Sequence, residues 1–359
     1  MTYVLYILVA LLIFGVLIAV HEWGHYIAAR ICGVTVYEFA IGMGPMVYHK
    51  EKRGCRYSIR LLPIGGFCSL EGEEEESDDP NSLNNQGFWK KVFIFAAGAL
   101  MNFILGLVII VFILLVGSNY FATFRSDAVI TGFADGFQLE GESGLMEGDI
   151  LYKIDGYRVY NYTDASLFLQ YNDGNGVDLV VIRNGEKITL KAFPMYRSTY
   201  EGVEGRFGIT IAAQPRSQSF FGTLRDAWYM ALDFVQLVWF SLAQLFNGQA
   251  GVQDLTGAVG IVSTITEVGV QSTSALVAVC QIGYFAALIA VNLAVMNLLP
   301  IPALDGGKIF FLVVNAVAML LFRRKIPAKY ENYIHAAGFL LLMGLMVVVT
   351  FQDVWRLFQ

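Results

Sequence analysis

The chain is built from long uncharged stretches separated by charged ones. Residues 3–20, 92–116, 275–300 and 336–352 carry no charged side chain. A helix rises 1.5 Å per residue, so about 20 such residues cross the roughly 30 Å hydrocarbon layer of a bilayer. Each stretch therefore predicts a membrane helix, with spans at 3–31, 92–116, 275–300 and 333–355. The first is too long for a signal-peptide core and lacks a basic leader and a small-residue cleavage site, so it is expected to be retained. It also runs on past Val20 into charged residues. The last is flanked by Tyr333 and Trp355, which suit the two interfaces. Residues 228–246 are nearly as apolar, but Asp233 sits near their middle. That stretch is expected to lie on, or dip into, the outer face.

The polar stretches have their own periodicities. Residues 34–70 read as a β-hairpin, with strands Glu38–Tyr48 and Cys55–Phe67 around the turn Lys50–Gly54. An acidic linker follows (71–87, with EGEEEESDD at its start). Residues 117–216 show short strands at 149–154, 177–183 and 187–193, the first two ending at Asp155-Gly156 and Asn184-Gly185, with a helix near 165–169. That is a β-rich domain the size of one PDZ module. Lys and Arg set the orientation. Eight lie between the first two spans (Arg30 to Lys91), and Lys308, Arg323, Arg324, Lys325 and Lys329 lie between the last two, so both loops are expected on the cytoplasmic side. The fold class is thus a polytopic α-helical membrane protein with four transmembrane helices, a membrane-associated β-hairpin and an inserted β-rich PDZ-like domain. Its parts are a membrane part at 1–116, an outer domain at 117–216, interfacial amphipathic helices at 217–274 and a second membrane part at 275–359. Both termini and the β-rich domain fall outside.

Composition narrows the function. Of 359 residues, 56% are AVILMFWYC and only 15% are charged, against roughly half and a quarter in soluble proteins. Lipid is therefore a partner. The formal net charge of -6 argues against nucleic acid, whose binders show a basic surplus. The four cysteines, at 32, 55, 68 and 280, have no CxxC spacing, which suggests neither a disulfide scaffold nor a cysteine zinc ribbon.

The chemistry is concentrated where the first apolar stretch becomes charged. His21-Glu22-Trp23-Gly24-His25 is H-E-x-x-H; on a helix the two imidazoles share a face and reach one zinc ion, with the glutamate beside them. Ionisable groups contiguous with a membrane span are expensive and are functional by default. A catalytic zinc site wants a third protein ligand, and Glu38, Glu51 and Asp305 are candidates. Asp305 fits by depth, because His21 and the end of the third span both approach the cytoplasmic edge. His49 and His335 read as ordinary loop or interface residues, and Asn102 and Asn292 as helix-packing polar groups.

H-E-x-x-H in a first span together with Asn297-x-x-Pro300-x-Pro302-x-Leu304-Asp305-Gly306-Gly307 after a later one resembles the site-2 protease family of intramembrane zinc metalloproteases. The single outer domain is similar to that of its bacterial RseP/RasP-like branch, which has one PDZ domain. Residues 40–45, 62–67, 97–103, 144–156 and 256–261 resemble the same branch. The resemblance implies Zn2+ held by His21, His25 and Asp305, with Glu22 as general base. It implies that Asn297 hydrogen-bonds substrate backbone; alternatively, Asn297 satisfies backbone groups freed by the two prolines. It further implies a bacterial inner-membrane enzyme that cuts transmembrane segments of single-span membrane proteins, such as anti-sigma factors or signal-peptide remnants. The competing reading is a catalytically silent membrane scaffold whose PDZ-like domain binds partners. An intact Glu22 favours the enzyme.

Overall fold

The computed structural model describes residues 2–73, 77–117, 119–172, 175–200, 203–217, 219–248, 251, 255–323 and 327–356. Residues 74–76 of the acidic linker, and Arg324 and Lys325 of the second basic loop, lie outside the described residues. The chain forms two compact units, one from Met1–Ile109 with Val238–Gln359, the other from Ile110–Leu237.

The first unit opens with α1 (Thr2–Cys32). Gly33 ends it in the left-handed region, φ 79°, letting the Val34 amide bond back to the Ala29 carbonyl at 2.9 Å, a common glycine C-terminal cap. Then come β1 (Val36–Lys52) and β2 (Cys55–Leu70). They meet at Arg53-Gly54, both with positive φ, the conformation a tight two-residue hairpin requires. The expected hairpin is present and folds further, because Ala40 pairs with both Phe67 and Ser58, and Ile41 with both Gly66 and Ile59. Each strand bends back on its partner, so four segments lie side by side in the order 66–70, 36–41, 56–60 and 48–52. The bends fall at Gly42, Gly44 and Gly65, with φ between 82° and 88°, where a side chain would be strained.

Glu38 and Ser58 lie inside this sheet. Despite partial burial, hydrogen bonds from Ser58 (2.6 Å) and from the Arg60 guanidinium (2.7 Å) hold the Glu38 carboxyl below its ordinary value. The linker is tied to the base of the sheet, with the Thr35 amide on the Asn81 carbonyl and the Leu83 amide on that of Glu71. Next, α2 (Phe88–Val116) runs back beside α1. The approach is closest at Gly24, where a Cβ would collide with the Ala97 carbonyl.

The second unit is a sheet with strand order β10-β3-β4-β6-β7, built from β3 (Ser126–Phe133), β4 (Ile150–Ile154), β6 (Asn175–Arg183), β7 (Glu186–Tyr196) and β10 (Ile209–Pro215). A short β5 (Tyr157–Arg158) adds to β4, and β8 (Ser198–Tyr200) pairs with β9 (Val203–Arg206). The turns expected at Asp155-Gly156 and Asn184-Gly185 are present, with positive φ at all four residues. Helix α3 (Tyr162–Tyr171) starts in a capping box, Asn161 accepting from the Asp164 amide and Asp164 from that of Asn161, an arrangement that satisfies two otherwise orphaned donors.

Helix α4 (Phe220–Phe246) is the stretch that held Asp233. Asp226, Asp233 and Gln236 face the second unit's β-rich part. Gln236 makes two hydrogen bonds to the backbone of Arg158 (2.9 and 2.7 Å), and Asn161 donates to Asp233 at 3.5 Å. Asp226, fully buried, meets Arg125 and Arg216 at 3.4 Å each. Phe220, Phe221 and Trp228 are exposed on other sides of the helix. A polar residue in an apolar stretch is thereby accounted for without burying it in lipid.

The first unit resumes with α5 (Ala258–Gln271), α6 (Ala275–Asn297), α7 (Asp305–Phe322) and α8 (Ala328–Arg356). Asp353 of α8, itself buried, accepts from the Gly260 amide at 2.8 Å and so caps α5. Among the described residues six helices are long and apolar enough to cross a membrane: the four expected, α4, and α7. The last was not expected, since the sequence placed Lys308 and Arg323 in one basic loop; the apolar run between them is a helix of its own.

Replacing Asp226 by alanine takes the carboxylate from the buried Arg125 guanidinium and leaves Arg216 with Asp127 at 3.6 Å, a loss of about 3–5 kcal/mol. Limited proteolysis of detergent-purified protein is expected to cut within residues 110–237 at correspondingly lower denaturant.

Candidate metal centre

His21 and His25 lie one turn apart on α1, and Asp305 is the first residue of α7. Their side chains converge. The two Nε2 atoms are 3.2 Å apart, and Asp305 Oδ2 lies 3.2 Å from that of His21 and 3.3 Å from that of His25. Bonds of about 2.0 Å to a tetrahedral ion place ligand atoms about 3.3 Å from one another. The triangle therefore fits zinc. Among the described residues it is the one cluster of three side chains spaced to hold a metal.

Several neighbours fix this geometry. His25 Nδ1 is 2.8 Å from the Ile94 carbonyl. Donation there places the proton on Nδ1 and leaves the Nε2 lone pair for a metal. The side-chain amide of Asn297, at the end of α6, lies beside His21, with its Nδ2 3.5 Å from the ring's Nδ1. No other side-chain hydrogen bond of Asn297 is present among the described residues. Gly98 of α2 lies directly under the imidazoles. A Cβ there would overlap His25 Nε2 and sit 2.7 Å from His21 Cε1. Sequence reasoning missed Gly98; its only signal was the small-residue run Ala96-Ala97-Gly98-Ala99.

The loop before Asp305 is folded hard against the start of α7. A Cβ on Gly306 would strike the backbone of Leu298 and Leu299, and one on Gly307 that of Ile301. The paired glycines after the aspartate are thus a packing requirement. His335, expected to be an ordinary interface residue, instead reaches this loop, its Nδ1 accepting from the Ala303 amide at 2.9 Å.

Glu22 adjoins β2. A Cβ on Gly66, in the sheet segment 66–70, would lie 3.4 Å from its Cγ. The other carboxylates considered as ligands are committed elsewhere, Glu38 to Ser58 and Arg60, Glu51 to Arg56 at 3.3 Å. Burial, with Glu22 nearby, pushes the Cys68 thiol far up, which suits a neutral packing residue. Asn102 is buried, and its Oδ1 has no hydrogen-bond partner among the described residues.

Two ring nitrogens and a carboxylate oxygen at zinc spacing, with a glutamate between the two histidines in sequence, make an arrangement that suits zinc. The chain belongs to peptidase family M50, whose model matches residues 9–345. It is 35% identical, over 98% of both chains, to a Clostridium perfringens protein provisionally named a zinc metalloprotease. It is 30% identical to zinc metalloprotease RasP of Shouchella clausii, covering 97% of this chain and 98% of that one. The Bacillus subtilis regulator of sigma-W protease RasP is 26% identical over the same shares. The protein is therefore a membrane-embedded zinc metalloprotease, and zinc is its metal.

Asp305→Ala is expected to weaken zinc binding by more than the roughly 10–100-fold that loss of an outer-shell partner costs. Gly98→Ala, whose Cβ would overlap His25 Nε2 itself, is expected to weaken binding at least as much as loss of an outer-shell partner, by displacing the imidazoles. Chelator competition on purified protein measures both.

Proposed function

We propose that the chain is an intramembrane endopeptidase that cleaves the transmembrane segments of single-span membrane proteins. The observation that carries this reading is the continuity of α1: the apolar helix that suits the bilayer runs without a break into the turn bearing His21, Glu22 and His25. A substrate reaching those residues comes from the membrane. RasP of Bacillus subtilis is named for sigma-W regulation, so anti-sigma factors are a natural substrate class for this chain as well.

His21, His25 and Asp305 hold the metal. Zinc supplies Lewis acidity, which polarises a scissile carbonyl and makes a nearby water a better nucleophile. Glu22 takes the proton of the attacking water and hands it to the leaving amine. Helical peptide bonds are tied into the helical ladder, so the substrate must be extended before attack. Segment 66–70 forms the outer edge of the four-segment sheet, and Gly66 adjoins Glu22. An unwound substrate strand added to that edge would pass beside the base. Asn297, next to His21, donates to the substrate backbone once the strand is bound.

The basic loops orient the protein with the metal centre near the cytoplasmic edge and residues 117–216 outside. Helix α7 has Lys308 in its first turn and Arg323 at its end. With both of those basic ends cytoplasmic, and α4 on the outer face, four helices cross. The outer PDZ-like domain then takes no part in bond cleavage and acts as a size filter at the substrate entrance.

Glu22→Gln is expected to keep stoichiometric zinc and abolish cleavage of a tagged single-span substrate; activity within tenfold of the unmodified protein would rule Glu22 out as the base. In a substrate series differing only in the length of the outer part, cleavage is expected to fall steeply once that part is large enough to fold. An even rate across the series would remove the size filter.

A further inference from the structure

The loop that delivers Asp305 contains a backbone conformation that needs a support. Ala303 has φ 76°, in the left-handed region where a Cβ is disfavoured by its contact with the backbone. It lies two residues before the metal ligand, so its ψ and φ set where the first turn of α7 begins. Glycine would adopt this bend freely, yet the chain has alanine.

One helix face is shaped around that bend. His335 of α8 takes the Ala303 N–H on its Nδ1 at 2.9 Å. One turn further along α8, Gly338 sits so close that an added Cβ would be 2.5 Å from that of Pro302. The His335 ring also packs on Phe311 of α7, with centroids 5.2 Å apart. An imidazole that accepts at Nδ1 carries its proton at Nε2, and that atom is buried without a hydrogen-bond partner among the described residues. Burying an unpaired donor is unfavourable. A residue chosen only to fill space between α7 and α8 would not carry that cost, whereas one needed for the bond at its other nitrogen would.

We propose that His335 is a positioning residue for the metal centre: by accepting the Ala303 N–H it holds the left-handed bend that brings Asp305 Oδ2 within 3.2–3.3 Å of both histidine nitrogens. It rests on the reading of His21, His25 and Asp305 as the zinc ligands. His335 touches neither the metal nor the substrate, and its effect is on the affinity of the site.

The test uses full-length protein in detergent and reads zinc affinity by chelator competition, with thermal unfolding of the metal-free protein alongside. His335→Leu removes the acceptor and keeps an apolar side chain. His335→Asn keeps an acceptor oxygen near the position of Nδ1. Ala303→Gly removes the Cβ that makes the bend unfavourable. The proposal expects His335→Leu to weaken zinc binding at least about tenfold, the lower end of outer-shell effects. It expects His335→Asn to stay within about threefold, and Ala303→Gly combined with His335→Leu to recover most of the loss. A packing role alone would lower the unfolding temperature in all His335 variants and would not be repaired at residue 303. Wild-type affinity in His335→Leu, or a deficit that Ala303→Gly leaves untouched, overturns the proposal. If His335→Leu does not fold, the double variant decides: folded protein with near-normal zinc affinity supports the brace, and failure to fold overturns it. Zinc held equally well after Asp305→Ala would instead overturn the ligand set itself, an outcome separate from any result at His335.

Discussion

A metal held between two helices needs its ligands at fixed separations, and here the three side chains spaced for one come from positions 21, 25 and 305 of one chain. The histidines are simple to place, since one turn of α1 sets their spacing. Asp305 is harder. It arrives at the end of a loop, and its distance from the histidines depends on every contact that seats α7. The paired glycines after it, the proline-rich turn before it and the face of α8 around Pro302 and Ala303 all act on that distance. Much of the first unit can be understood as the means of keeping three atoms about a zinc ligand's spacing apart.

Close approach is the recurring solution. Gly24 lets α1 meet the Ala97 carbonyl, Gly98 makes room for both imidazoles, and Gly306 and Gly307 let α7 start against the preceding loop. Helices in lipid gain little from burying apolar side chains against one another, so small residues that bring backbones together carry a larger share of the packing. The same small residues that allow dense helix packing leave the space in which the site is assembled.

The second unit uses a different device. Arg125, Arg216 and Asp226 form a buried ionic cluster that joins the flanks of β3 and β10 to α4, while Gln236 and Asn161 add neutral hydrogen bonds. Such clusters are costly to disrupt once buried. They give α4 a definite polar side, while Phe220, Phe221 and Trp228 are exposed elsewhere on it.

The sequence by itself determined the membrane class, the expected spans and the zinc motif, because these depend on local regularities: run length against bilayer thickness, and the one-turn spacing that puts His21 and His25 on one face. Asp305 was also legible, through a loop motif and its expected depth. Tertiary structure alone decided the rest. Whether the segment 34–70 is a plain hairpin or folds into four side-by-side segments depends on left-handed bends at Gly42, Gly44 and Gly65, and glycine permits such bends without requiring them. Helix α7 was hidden because its basic ends read as a loop. Asp233 looked like an obstacle to burial until its partners on the second unit's sheet were in place. Gly98 and His335 have no local signature, since an absent side chain and a lone imidazole acquire meaning only from residues that the fold brings next to them.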